Sequence, residues 1–153
     1  MSKYEDANLI LKLYDLRREA VMREARNWWF TFNPTSVQDF TDVFLGEQSA
    51  YFRMVVSYWE MSASLVNNGA IDEKMFNEAN GEHIFIFSKV QPFLTEMRNL
   101  FNLPEYLEQF EKLVMRTPDI EKRLVELRER MKQFAALREQ KALAQAQAAA
   151  SAT

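Results

Sequence analysis

The stretch Tyr51-Phe52-Arg53-Met54-Val55-Val56-Ser57-Tyr58-Trp59-Glu60-Met61-Ser62-Ala63-Ser64-Leu65-Val66-Asn67-Asn68-Gly69 decides the fold. Phe52, Val56, Trp59, Ala63 and Val66 recur at spacings of 4-3-4-3, the repeat of one face of an α-helix. Tyr51, Val55, Tyr58, Ser62 and Leu65 make a second stripe beside it, and Arg53, Ser57, Glu60, Ser64 and Asn67 a polar face. Two adjacent stripes give a wide buried face, so a helix over residues 47–67 is expected at the centre of the fold. Asn68-Gly69 then stops it.

Toward the N-terminus, Ile10, Tyr14, Val21, Ala25, Trp28 and Phe32 predict one long helix over residues 4–32, with a Glu19–Arg23 pair on its polar side. Asn33-Pro34 ends it, since proline disfavours helical geometry in the residue before it. Ser36, with Asp39 three residues on, caps a short helix over 37–45, which Gly46 ends in a left-handed conformation. Toward the C-terminus, Asp72 caps a helix over 73–79. Residues 84–87, Ile-Phe-Ile-Phe, have strand propensity. Yet His83, Phe87, Val90, Leu94, Met97 and Phe101 keep helical spacing, and a lone strand would lack a partner. A helix kinked at Pro92 is expected there. Another follows over 104–115, with Leu107, Phe110 and Val114 inward. Thr117-Pro118-Asp119 reads as a helix start with Pro at its first position. The last helix carries Ile120, Leu124, Leu127, Met131 and Phe134 in two coiled-coil heptads, until Arg138 interrupts the stripe. The expected fold is all-α: a bundle of about five to seven helices, the first and last long, in one domain over residues 1–141. The Ala/Gln-rich tail, 142–153, has little to bury and should fray.

Composition narrows the function. No cysteine is present among 153 residues, which excludes disulfides, thiolate metal sites and a Cys nucleophile. The polar, acidic start and the lack of a long apolar run predict a cytoplasmic protein without a membrane span. Net charge is −3, distributed as +1 over residues 3–26, −7 over 39–112 and +3 over 116–141. This layout solubilises the chain, and it also lets an acidic face meet a basic one on a second copy or a partner. Lys and Arg are not clustered as phosphate binding requires, so nucleic acid is not an expected partner.

No catalytic or cofactor constellation emerges. His83 is the only histidine; it lacks the second His of a metalloprotease helix or a di-metal bundle, and no Ser is marked as a triad partner. It reads as a helix-start or packing residue. Glu60 reads as half of an ion pair with Arg53 or Arg98. Three glycines, none clustered, leave no phosphate loop, and no cofactor or metal is expected. Trp28-Trp29-Phe30-Thr31-Phe32 turns its rings in several directions, so they are either covered by the following loop or partly exposed for a partner.

The run Tyr58-Trp59-Glu60, then Leu65-Val66-Asn67-Asn68-Gly69-Ala70-Ile71-Asp72, then Gly81, Phe87, Pro92 and Arg98 resembles a bacterial family of helical domains of unknown function. The resemblance spans residues 51–98, and its motifs are helix caps. It implies a helical fold and no particular activity. Many such proteins carry an N-terminal membrane anchor, from which this chain departs.

The leading functional expectation is a non-enzymatic interaction or structural protein, self-associating as a homodimer or meeting a protein partner. Its candidate surface is Trp28, Trp29, Leu124, Leu127, Met131, Phe134 and Leu137. The alternative is a small-molecule-binding or sensory domain with an apolar pocket lined by aromatics and by Met54, Met61, Met75 and Met97.

Overall fold

The computed structural model describes residues 2–152, and these contain helices and connections with no strand. Nine α-helices follow one another: α1 Lys3–Arg17, α2 Ala20–Thr31, α3 Val37–Leu45, α4 Ser49–Asn67, α5 Glu73–Ala79, α6 Glu82–Val90, α7 Leu94–Leu100, α8 Glu108–Met115 and α9 Ile120–Ser151. Residues 84–87 lie inside α6, so the helical spacing prevails over the strand propensity. No helix among the described residues is long and apolar enough to cross a membrane.

α4 is central, flanked by α2 and α8. Phe52, Val55, Val56, Trp59 and Ala63 are each at most 2% exposed. Trp29 of α2 stacks on Phe52 at 5.4 Å between ring centres, and Phe40 of α3 meets Phe52 edge-on at 6.0 Å. Burying each such side chain contributes roughly 1.5–3 kcal/mol before entropy is counted. Gly69 ends α4 at φ +79°, where a Cβ would be strained. Its N–H donates to Val66 O at 3.0 Å, and Ala70 N–H to Leu65 O at 2.9 Å, a Schellman ending. Gly46 ends α3 differently from expectation. It is extended, at φ −100°, and a Cβ there would meet Asp42 O at 2.7 Å, so close approach requires the glycine.

The count exceeds the expected five to seven because two expected helices each break in two. The long first helix divides after Arg17. Glu19 adopts an extended backbone, and its carboxylate accepts the Met22 N–H at 2.9 Å, starting α2 afresh. A residue assigned to a surface pair with Arg23 thus serves as a helix cap. The second break is at Pro92, where the kink becomes a 3-10 turn over Gln91–Phe93 between α6 and α7.

Two helix starts also differ. α8 begins at Glu108, later than Pro104, with Leu107 held in the left-handed region at φ 57°. α9 begins after Asp119, also left-handed at φ 56°, so Pro118 does not occupy its first turn. The strained Leu107 is 4% exposed, and a distant group completes the helix it precedes. Glu60 of α4 accepts from Gln109 N–H at 2.9 Å and Phe110 N–H at 2.8 Å. Neither expected ion pair of Glu60 forms; Arg98 instead pairs with Glu111 at 3.1 Å and donates to Tyr106 O at 2.9 Å. At the other end, α9 stays helical through the tail expected to fray, with every residue from Ala136 to Ala152 exposed.

Glu60→Ala removes the acceptor for two α8 N–H groups and should destabilise the fold by roughly 1–3 kcal/mol. Urea denaturation measures this; an unchanged midpoint would show that water replaces the carboxylate without loss.

Candidate functional site

Pro92 lies at the edge of a concavity between α6 and α9. Lacking an N–H, it cannot donate to Ser88 O one turn back. Arg128 of α9 takes that carbonyl instead, with Nη1 donating at 3.1 Å, and also reaches Gln91 Oε1 at 3.4 Å. The repair ties α9 to the kink.

Next to Ser88, Lys89 repairs a second helix end. α2 stops at Thr31, and Pro34 has no N–H for Phe30 O. Lys89 Nζ donates to Trp29 O at 2.6 Å, Phe32 O at 2.6 Å and Phe30 O at 3.3 Å. All three ammonium protons are therefore engaged, and the cation sits at the negative end of α2. Its charge lies 4.8 Å from the centre of the Phe85 ring. Lys89 is 5% exposed with no carboxylate partner. Burial, reinforced by the charge of Arg138, pushes its ammonium down to about 7.

Between these repairs lies a half-open groove of about 390 Å³. One wall is the 33–35 loop with Pro34, a second the kink with Pro92 and Phe93, and a third the α9 face of Met131, Ala135 and Ala136. Lys89, Arg128 and Lys132 bring positive charge to it, against one carboxylate, Glu139.

The expected surface residues separate. Trp29 and Leu124 are fully buried and belong to the interior, not to an exposed contact surface, and Met131 is only 7% exposed. Trp29 is covered because α2 packs on α4, and Leu124 and Met131 because the first heptads of α9 pack on α6 and α8. Trp28, stacked on Phe32 at 4.8 Å, and Leu127 are half-buried. Phe134 and Leu137 are 42% and 58% exposed. Met131 alone of the set lines the groove. The four methionines do not converge: Met97 is buried, Met54 and Met75 are half-buried, and Met61 is exposed. Lys89 and Arg128 belong to no sequence motif of their own. Pro34 and Pro92 were the signals, since each frees a carbonyl that some donor must satisfy.

His83 is 1% exposed between the Trp59 and Phe76 rings. Its Nε2 lies 3.2 Å from Asn77 Oδ1, and Nδ1 has no partner. Burial, aided by Arg123 and Arg17, pushes its pKa down to about 4. No carboxylate among the described residues orients it. Nearby, Arg26 grips Glu82 through Nε at 3.0 Å and Nη2 at 2.7 Å, with Arg17 3.7 Å away.

A family model for a domain of unknown function, DUF4760, matches residues 4–117. The chain belongs to this family. No curated protein and no solved structure matches it. The matched span holds Lys89, Pro92, Glu60 and His83 and stops before α9, so two walls of the groove lie within the family domain and the third outside it.

Two outcomes follow. Lys89 has a folded pKa of about 7, below the ordinary lysine value of 10.5, so the unfolded chain binds its proton more readily. Stability should therefore rise as pH increases from about 7 toward about 10. Lys89→Met should flatten that rise in urea denaturation, and a rise unchanged in the variant would refute the burial of the charge. For His83, the folded pKa lies below the unfolded one, so the unfolded chain binds the proton more readily. Stability should fall as pH drops from about 6.5 to about 4, by up to about 3 kcal/mol. His83→Phe should flatten that slope relative to the parent chain, and identical slopes would refute the assignment.

Proposed function

We propose that this chain is a non-catalytic binding domain whose site is the groove at the Pro92 kink, and that it takes a small, mostly apolar molecule. The observation carrying this is the hollow itself: about 390 Å³, apolar on three sides, with a few convergent polar groups. That falls within the roughly 300–1,000 Å³ of small-molecule sites. Binding is favoured over catalysis because the two groups best suited to proton transfer are committed elsewhere. Lys89 spends its protons on α2, and His83 is enclosed by aromatic rings. The cysteine-free composition fits a reducing compartment such as the cytoplasm, and the family resemblance a bacterial one.

A second reading, self-association, is supported by α9. Its distal half is exposed, with Leu137 at 58% and Leu143 at 59%. The −7 of residues 39–112 complements the +3 of 116–141 on another copy.

Calorimetric titration of the full chain with decanoate and with decanol tests the groove. At least one should bind saturably, and Ala135→Trp, which fills the hollow, should abolish it. Absence of binding by both, or binding untouched by Ala135→Trp, would remove the groove as the site. Light scattering tests the second reading: a dimer at tens of micromolar should dissociate in the Leu137→Glu, Leu143→Glu double variant, and a monomeric parent chain would dismiss it.

A further inference from the structure

We propose that the groove's ligand is a free amphiphilic anion, a single apolar chain ending in a carboxylate, whose head is held by Arg128 and Lys132. This rests on the groove being the binding site and adds the sign and position of the ligand's charge. Arg128 carries the argument. Its Nη1 is spent on Ser88 O and Gln91 Oε1, while its Nε and Nη2, the two donors along one edge of the guanidinium, have no protein partner among the described residues. Arg26 shows what that edge does in this same protein: Nε and Nη2 together hold the Glu82 carboxylate, at 3.0 and 2.7 Å. Such a fork matches a carboxylate in geometry and charge. Arg128, a lining residue of the groove, thus has a fork of donors free for a carboxylate.

The remaining charges agree in sign. Lys89 lies in the lining without a counter-ion and adds positive charge when protonated. Lys132 lies one turn beyond Arg128 on the same wall; Glu129, at 3.1 Å, partly offsets it. Arg138 adds a positive charge toward Lys89, its guanidinium carbon 5.0 Å from the Phe30 ring centre. Glu139 is the one opposing carboxylate in the lining. A cationic ligand would add like charge to the groove, and a neutral one would leave the Arg128 edge to water. The walls accept the rest of the molecule: Pro34, Phe93 and Ala135 offer no donor or acceptor from their side chains, and Met131 only a weakly accepting thioether.

The test compares ten-carbon probes that differ only in the head group: decanoate, decanol and decyltrimethylammonium. Decanoate should bind tightest, by about tenfold or more over the alcohol. Lys132→Glu, an exposed position outside the core, should weaken decanoate by about tenfold and leave decanol nearly unchanged. Arg128→Lys keeps the charge and loses the fork, and should weaken decanoate as well. Equal affinity for decanoate and decanol, or a preference for the ammonium, would overturn the anion while leaving the groove standing. If none of the three binds, the groove reading fails with it. Binding to vesicles containing phosphatidylglycerol, without binding of monomeric decanoate, would overturn the free-ligand assignment in favour of a membrane surface.

Discussion

Nine helices closing around one small core bring many helix ends into places water reaches poorly, and each end must find donors or acceptors there. In this protein the partners come repeatedly from side chains far along the chain. Glu60 of α4 receives the first N–H groups of α8, and Asp6 of α1 accepts the Asp72 N–H before α5 at 3.0 Å. Tyr58 donates to Leu13 O near the end of α1 at 2.6 Å, and Arg26 reaches Arg17 O at 3.4 Å. Lys89 closes α2, and Arg128 mends α6. Each of these bonds also fixes how two helices meet, because a side chain long enough to reach a neighbouring helix end has few geometries in which to do so. Apolar burial holds the bundle together without direction; these polar joints specify its arrangement.

The joints have electrostatic consequences. A buried cation on carbonyl oxygens loses its water without gaining a full counter-charge, so Lys89 is held far below the ordinary lysine range. Tyr58, also buried, is pushed up to about 12 and remains a neutral donor at any ordinary pH. A buried amine beneath an apolar groove, charged when protonated, is therefore a by-product of ending α2 at Pro34, and the groove in turn owes its shape to ending α6 at Pro92. Two prolines, neither lining the deep core, account for both the hollow and its sign.

Much of the fold was legible because periodicity reports burial. The two stripes of α4 placed Trp59 and Phe52 in the core, and the spacing from His83 to Phe101 correctly outweighed the strand propensity of residues 84–87. Helix boundaries were less legible where a distant residue decides them. Nothing local to Leu107 or Asp119 asks for a left-handed backbone, and Pro104 and Pro118 are good local starts that tertiary contacts override. The site was less legible still. Lys89 sits among Phe85, Ile86, Phe87 and Val90, where a long cation looks like an interruption of a buried face. Its role depends on the end of α2, 57–60 residues earlier. The prolines told where carbonyls would be left over, but only three dimensions tell which side chain reaches them.

α9 shows why one apolar stripe can hold two different environments. A helix of 32 residues is about 48 Å long, more than the roughly 30 Å diameter of a small domain. Its heptads begin at Ile120 and find α6 and α8 beneath them through Met131; Leu137 is already 58% exposed. The stripe fades at the same place, with Arg138 replacing an apolar residue and lying over Phe30. What remains is rich in alanine, which favours a helix intrinsically, but an isolated helix of this length gains little in water. Residues 131–139 stand at the boundary, anchored on one side and exposed on the other, and they form the third wall of the groove. An occupant there would touch the part of α9 whose own packing is incomplete, so any contact it makes adds to the helix's stability at the point where the bundle ceases to supply it.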